Sequence, residues 1–269
     1  MCRCISAHAL HTLMEDQTNR ENVVSYYDEH VKYKLNDYIK INPRIEFGWK
    51  TIRKFSPAEP LHILEVGCGM GSISSRMHKR WPDADVTGID ISTMSIQIAR
   101  KLFEDSKLKF RETILTPDTF KEEKFDLIVF MDVYEHIAVA DRPAVHAAIN
   151  KLLKNKGRVI LTVPTPHNLK WSLINKPETM QPVDEHISFD VIGKLAAETQ
   201  TEVILYELKN VWNVADYAHI VLERNDDFEA AFFHPKPVTA LQRSERIAGK
   251  IKAKLGSYFR KAFVRSKLK

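Results

Sequence analysis

Seven residues, Glu65-Val66-Gly67-Cys68-Gly69-Met70-Gly71, follow the apolar pair Ile63-Leu64 and precede a stretch with helical spacing. A β-branched run that breaks into alternating glycines reads as a strand turning sharply into a helix, where residues without a Cβ let the backbone bend and a ligand approach closely. The chemistry that such a turn supports is nucleotide binding, and the spacing narrows the ligand. A dinucleotide loop of the G-x-G-x-x-G type needs glycine at position 72, where the chain has Ser72, so a diphosphate is disfavoured. A second apolar stretch, Val86-Thr87-Gly88-Ile89, ends in Asp90, nineteen positions after Gly71. An acid at the carboxyl end of a strand can accept hydrogen bonds from two ribose hydroxyls. The pattern predicts a ribose-bearing ligand without a diphosphate.

The elements that must position these residues alternate in the manner of a doubly wound α/β sheet. Apolar runs place strands at His62–Val66, Asp85–Ile89, Leu108–Glu112, Asp126–Phe130 and Arg158–Val163, and recurrence at three and four places helices at Ile73–Trp81, Met94–Asp105 and Arg142–Leu153. Two late strands, Glu202–Lys209 and Tyr217–Glu223, are joined without room for a helix and are expected to pair antiparallel. The reading is a seven-stranded, mostly parallel sheet ending in an antiparallel hairpin. Residues 21–55 show helical spacing before the break Ser56-Pro57-Ala58-Glu59-Pro60, giving a helical cap over 1–60, a sheet domain over 61–225 and a linker with a basic tail over 226–269.

With 269 residues and 44% hydrophobic side chains, the chain can bury one α/β core with some decoration. No apolar run approaches the roughly 20 residues that span a bilayer, and the first residues, interrupted by His8 and His11, lack a secretory segment. Three cysteines, two of them crowded into Cys2-Arg3-Cys4, give no disulfide framework, which fits a cytoplasmic location. Cys68 is expected to be small filler in the glycine loop. Charge is uneven. From Thr239 to Lys269 there are ten Lys/Arg and one acid, Glu245, so within a net charge of +5 the tail is strongly basic and the rest mildly acidic.

The motif E-V-G-C-G-M-G, followed by G-I-D-I-S, resembles the first two motifs of class I S-adenosylmethionine-dependent methyltransferases, and the likeness extends from about Leu61 to Val163 and more weakly to about Glu223. The resemblance implies S-adenosylmethionine as cofactor, held by Glu65, Gly67, Gly69, Gly71, Asp90 and Ile91, with Met131 lining the methyl and Tyr26, or its neighbour Tyr27, reaching in from the N-terminal segment. The adenine-binding acid found in many members after the third strand has no counterpart in Phe110-Arg111-Glu112-Thr113.

The fourth strand leads into Met131-Asp132-Val133-Tyr134-Glu135-His136, which resembles the segment lining the methyl and its acceptor in that family. Methyl transfer is an in-line displacement at a sulfonium carbon, so an oxygen nucleophile gains from a base that takes its proton near neutral pH. His136 with Glu135 is the candidate; a histidine that only hydrogen-bonds the loop is the alternative. Asp132, Glu135 and His136, with His186, also resemble the E-x-x-E-H cluster of methyltransferases that hold a divalent cation, with Asp in place of the first Glu. The long segment Pro164–Pro182 is read as a loop serving as a lid, with His167, Trp171 and, just beyond it, His186 as candidate acceptor contacts.

In the tail, Ile247, Ile251, Leu255, Phe259 and Phe263 recur every four positions among lysines and arginines. Such a helix suits an anionic membrane surface, the phosphates of RNA, or its own domain. The combined expectation is methyl transfer to an oxygen of a small-molecule or glycan acceptor, a sugar or phenolic hydroxyl, by a protein peripheral at the inner membrane face. A non-catalytic binder of the same cofactor is the rival. A nucleic-acid acceptor is disfavoured because the N/D-P-P-Y/F signature is missing after the fourth strand.

Overall fold

The computed structural model describes residues 22–29, 38–39, 42–226, 247–248 and 251. Two compact units divide between Asn225 and Asp226. The expected basic tail lies outside the described residues except at 247, 248 and 251, which are helical, with Ile247 and Ile251 exposed. No helix among the described residues is long and apolar enough to cross a membrane.

The first unit holds one seven-stranded sheet in the order β3-β2-β1-β4-β5-β7-β6. Its strands are β1 (His62–Val66), β2 (Asp85–Asp90), β3 (Leu108–Glu112), β4 (Phe125–Met131), β5 (Leu153–Pro164), β6 (Glu202–Lys209) and β7 (Tyr217–Glu223). All pairings are parallel except those of β7, which runs antiparallel between β5 and β6. The sequence pattern explains the order. Central β1, β4 and the later part of β5 are continuous apolar runs, as strands buried on both faces must be, whereas β3 and β6 carry Lys109, Arg111, Glu202 and Glu207 and lie at the edges.

Helices cover both faces. They are α1 (residues 22–29), α2 (Pro43–Phe55), α3 (Ser72–Arg80), α4 (Thr93–Phe103), α5 (Arg142–Leu152), α6 (Pro166–Asn175) and α7 (Phe189–Thr199). One face packs Ile52, Met77, Trp81, Ile96 and Ala99 of α2, α3 and α4 and their loops against Ile63, Val86, Phe110, Leu127, Val129, Ile160 and Val221. The other packs Val145, Ile149 and Leu152 of α5 and Ile192 and Leu195 of α7 against Leu64, Ile128, Phe130, Leu161 and Ile220. Each strand sends alternate residues to opposite faces, so one run serves both layers.

Three elements differ from the sequence expectation. Regular pairing of β5 begins at Arg158 as expected, but the strand is led in by 153–157, an irregular stretch in which Lys156 has φ 64°. The segment expected as a long loop contains α6 and a short 3-10 turn, Pro177–Thr179. Thr165 caps α6 by accepting from the Asn168 amide, and Pro166 sits at its first turn, where its missing N–H costs nothing. Helix α7 also forms, buried along Ile192, Leu195 and Ala196.

Helix α2 matters most for the site. Asn42 caps it, Pro43 begins it, and Gly48 lets it lie so close to β4 that a Cβ there would meet the Met131 methyl at 2.3 Å. Farther along, the buried Thr51 hydroxyl meets His219 Nδ1 of β7 at 2.6 Å. Burial keeps His219 neutral, its pKa pushed down to about 4. Thr51→Val should leave that nitrogen without a partner and cost about 1–3 kcal/mol in urea unfolding at pH 8.

Candidate functional site

In sheets of this kind ligands collect outside the carboxyl ends of the strands where the strand order reverses, which here is between β1 and β4. The glycine turn lies there. Gly67, Gly69 and Gly71 have φ of 68°, 53° and 79°, left-handed conformations that other residues seldom adopt. Close approach adds to the requirement: a Cβ at Gly67 would meet Val133 at 2.3 Å, and one at Gly71 would meet the Phe110 ring at 2.5 Å. Cys68 is buried and sits over Gly88 of β2, the filler role expected of it.

Two carboxylates hold the turn. Asp90 accepts from Gly69 N at 2.8 Å with one oxygen and from Ser92 N at 2.9 Å with the other, leaving a second lone-pair site on each oxygen for a ligand hydroxyl. Glu65 lies below, within the sheet. Gly71 is the N-cap of α3 and has no side chain to offer, and Glu65 supplies the missing acceptor by taking hydrogen bonds from the Ser74 hydroxyl and amide. Burial pushes the Glu65 carboxyl up to about 8. Of the predicted ligand set, Glu65 therefore supports the turn from beneath. Ile91 is half-buried just past β2, and the Met131 side chain packs on Gly48.

Helix α1 lies across this edge. Asp28 accepts from Ser92 Oγ at 2.5 Å and Met94 N at 3.2 Å, so it fastens α1 to the start of α4. Tyr27 donates to Gln181 Oε1 at 2.9 Å, and its ring stands 6.5 Å from that of His136. Burial first, then the charges of Glu135, Asp90 and Asp184, raise the Tyr27 pKa, so this phenol lies within electrostatic reach of all three acids. Tyr26, the residue singled out from sequence, packs edge-on against Tyr27 and is half-buried, its pKa raised by burial and then by the charge of Asp184.

The segment after β4 forms the other half of the site. Asp132 turns the chain at φ 55°, and Tyr134–His136 follow as one turn of 3-10 helix. Tyr134 is fully buried and anchors that turn, its hydroxyl 2.7 Å from His146 Nε2, with Glu198 on the far nitrogen. His136 projects toward the 181–185 segment. Its Nδ1 lies 2.8 Å from the Val183 carbonyl and 3.1 Å from Asp184 Oδ1, and its Nε2 lies 3.8 Å from Glu135 Oε1. Burial works to lower the His136 pKa, but the Glu135 and Asp184 carboxylates and the Val183 carbonyl outweigh it and the net shift is upward. Glu135 is buried, pushed up to about 7 chiefly by that burial, and its Oε2 has no hydrogen-bond partner among the described residues.

The predicted acceptor contacts are not among the buried residues of this cluster. His167, Trp171 and His186 are all exposed, and Lys176 lies over the Trp171 ring at 5.6 Å. Nor does the suggested metal set assemble. Asp132 is engaged by Arg44 at 3.0 Å and by the Thr162 hydroxyl at 2.8 Å, and among the described residues no group of three or more His, Cys, Asp or Glu side chains is arranged to hold a metal. Sequence reasoning misses Asp184 and Arg44. Asp184 stands two residues before the predicted His186, and Arg44 carries no local signal at all.

Residues 63–157 match a family model described as a methyltransferase domain. That match marks residues 63–157 as a methyltransferase domain. That domain resembles the ubiquinone biosynthesis O-methyltransferase of Pasteurella multocida, 33% identical over 124 residues that make up 42% of this chain and 50% of that protein. The protein of the same name from Sinorhizobium medicae is 28% identical over 202 residues, covering 66% of this chain and 77% of that one. The chain spans about half the length of most of the curated relatives it matches. Among solved structures, the fold is shared with the magnesium protoporphyrin IX methyltransferase of Synechocystis with bound S-adenosylhomocysteine, at a TM-score of 0.59 and 18% identity over 77% of this chain and 100% of that one. A 1,6-didemethyltoxoflavin-N1-methyltransferase of Burkholderia thailandensis superposes at 0.57 with 13% identity, over 84% and 93%. A protein named for a nitrogen acceptor thus shares the fold, so the fold alone does not fix the methylated atom.

Two substitutions test the turn of the methyltransferase domain. Gly67→Ala, which puts a Cβ into Val133 at a left-handed position, should cost about 1–3 kcal/mol or more in urea unfolding. Between pH 4.5 and 8 an unfolded Glu65 has lost its proton while the folded one keeps it, so stability falls as pH rises through that window. Glu65→Gln keeps an acceptor for Ser74 and should flatten this dependence, as read by unfolding at pH 5 and pH 8.

Proposed function

We propose that the chain moves a methyl group from S-adenosylmethionine to the hydroxyl of a small polar acceptor, with His136 taking the hydroxyl proton. The donor is cationic, and the residues present fit a cation: Asp90, Glu135 and Asp184 all lie within electrostatic reach of Tyr27, and Glu135 Oε2 is buried with no hydrogen-bond partner among the described residues. Gly67, Gly69 and Gly71 would pass beneath it and Asp90 would hold its ribose, while α1 covers it through Asp28 and Tyr27. When bound there, S-adenosylmethionine supplies a methyl already activated on sulfonium, so the protein's work is alignment and proton removal.

The observation that carries the reading is the His136–Asp184 pair. Nδ1 is committed as a donor to the Val183 carbonyl and to Asp184, which in turn is held by the Gln181 amide at 2.7 Å. That assignment leaves Nε2 as the basic nitrogen, on the side of Glu135. A histidine oriented by a carboxylate beside the glycine turn has the arrangement of a general base, and an oxygen acceptor needs one. Relatives named ubiquinone biosynthesis O-methyltransferases favour the phenolic hydroxyl over the sugar hydroxyl, since a quinone ring derives from a phenol.

Because the His136 pKa is raised, the base is protonated at low pH, and kcat/KM should climb through a limb above the ordinary histidine value of 6.5. His136→Ala should lower kcat about 10²–10⁴-fold while leaving the calorimetric affinity for S-adenosylhomocysteine nearly unchanged. The assay is labelled donor with a panel of catechols and other phenols. Unaltered turnover in the variant would reject the base, and no donor uptake by the wild-type chain would reject the function.

A further inference from the structure

The acids behind the proposed base already have a cation, and it belongs to the protein. Asp132, Glu135 and His136 stand at the spacing of a divalent-metal cluster, yet both oxygens of Asp132 are engaged, one by the Thr162 hydroxyl at 2.8 Å and the other by Arg44 Nε at 3.0 Å. The Asp132 side chain is only 4% exposed, so removing its counter-ion would strand a charge in a poorly solvated place. Tyr217 and Glu135 lie within electrostatic reach of the guanidinium as well. His186, the remaining member of a metal set, is exposed to solvent.

Arg44 is fixed by its own helix. Its amide donates to the Asn42 cap at 3.0 Å, and one turn farther along Gly48 seats α2 against Met131, the residue immediately before Asp132. The backbone cooperates. Asp132 holds a left-handed φ of 55°, and its amide is secured by the Thr162 carbonyl at 3.0 Å. A non-glycine residue in that conformation persists where its surroundings over-determine it, and here they include one ion pair and two hydrogen bonds.

We infer that Arg44 is a positioning residue that acts as the built-in cation of the acceptor side: its guanidinium balances Asp132 and Glu135 and holds the turn bearing His136, so that transfer proceeds without a divalent metal. The inference rests on the methyl-transfer reading, and it differs from the cluster that the sequence suggests in what neutralises the acids. A guanidinium suits the task because it keeps its proton under all working conditions and offers several donors in one plane.

The test begins with the wild-type chain. Calorimetric titration with Mn²⁺ should show no micromolar site, and turnover should be the same in EDTA and in added Mg²⁺. Arg44→Met should lower kcat about tenfold or more while the donor KM stays within about twofold, and Arg44→Lys should recover much of the loss. The variant should also move the acid limb of kcat/KM to higher pH, because Asp132 and Glu135, no longer balanced, join Asp184 in holding the proton on His136 beside Tyr27. Arg44→Met with Asp132→Asn removes both charges and controls for folding. If that double variant stays as impaired as Arg44→Met, with no return toward the wild-type pH profile, charge balance is not what Arg44 supplies and the inference falls. It falls equally if the wild-type chain binds Mn²⁺ tightly, or loses activity in EDTA and regains it with Mg²⁺. Failure of the wild-type chain to take up S-adenosylhomocysteine would instead overturn the methyl-transfer reading, and the Mn²⁺ titration would still decide the metal.

Discussion

Everything at the carboxyl edge of this sheet depends on one carboxylate meeting two backbone amides. Asp90 ends β2 and receives Gly69 N and Ser92 N, so it ties the turn after β1 to the turn after its own strand. A charge-assisted bond to an amide is stronger than a neutral one, and two of them on one side chain fix its rotamer. With Asp90 fixed, the three left-handed glycines form a floor of bare backbone, and Glu65 beneath them caps α3 in place of a side chain that Gly71 does not have. The same aspartate that is proposed to hold the ribose therefore also ties together the two turns that flank it.

The second constraint is charge. Asp90, Asp132, Glu135 and Asp184 converge on one edge, and the cations set among them are Arg44 and His136. Burial drives Glu135 and Asp132 toward their neutral forms, while Arg44 and His136 pull them back. Such a balance sets two buried carboxyl groups against two cationic side chains at one edge of the sheet. The arrangement also explains why α2 is packed so tightly: Thr51 on His219 and Gly48 on Met131 set the helix whose first turn delivers Arg44.

Much of the architecture is legible in the residues. Continuous apolar runs announce the central strands, and charged alternation announces the edges, because a strand's pattern reports which of its faces meet other protein. Helix α6 hides as a loop, since its exposed Trp171, Leu173 and Ile174 obscure the usual periodicity; the Thr165-Pro166 start is the signal that marks it. Residue type alone points to His167, Trp171 and His186 as acceptor contacts, and the structure places all three in solvent. Nothing local separates Tyr26 from Tyr27, and only the rotation of α1 decides which ring faces inward.

What the sequence determined by itself was the turn: glycines at 67, 69 and 71 and an acid at 90 are local requirements of backbone conformation and strand length, and they can be read in order along the chain. What only the tertiary structure decided was the company kept by His136 and Asp132. Asp184 comes to His136 across 48 residues and Arg44 to Asp132 across 88, on elements whose mutual placement is set by packing of the whole sheet. Coulomb and hydrogen-bond energies depend on distance in space, which spacing along the chain does not encode.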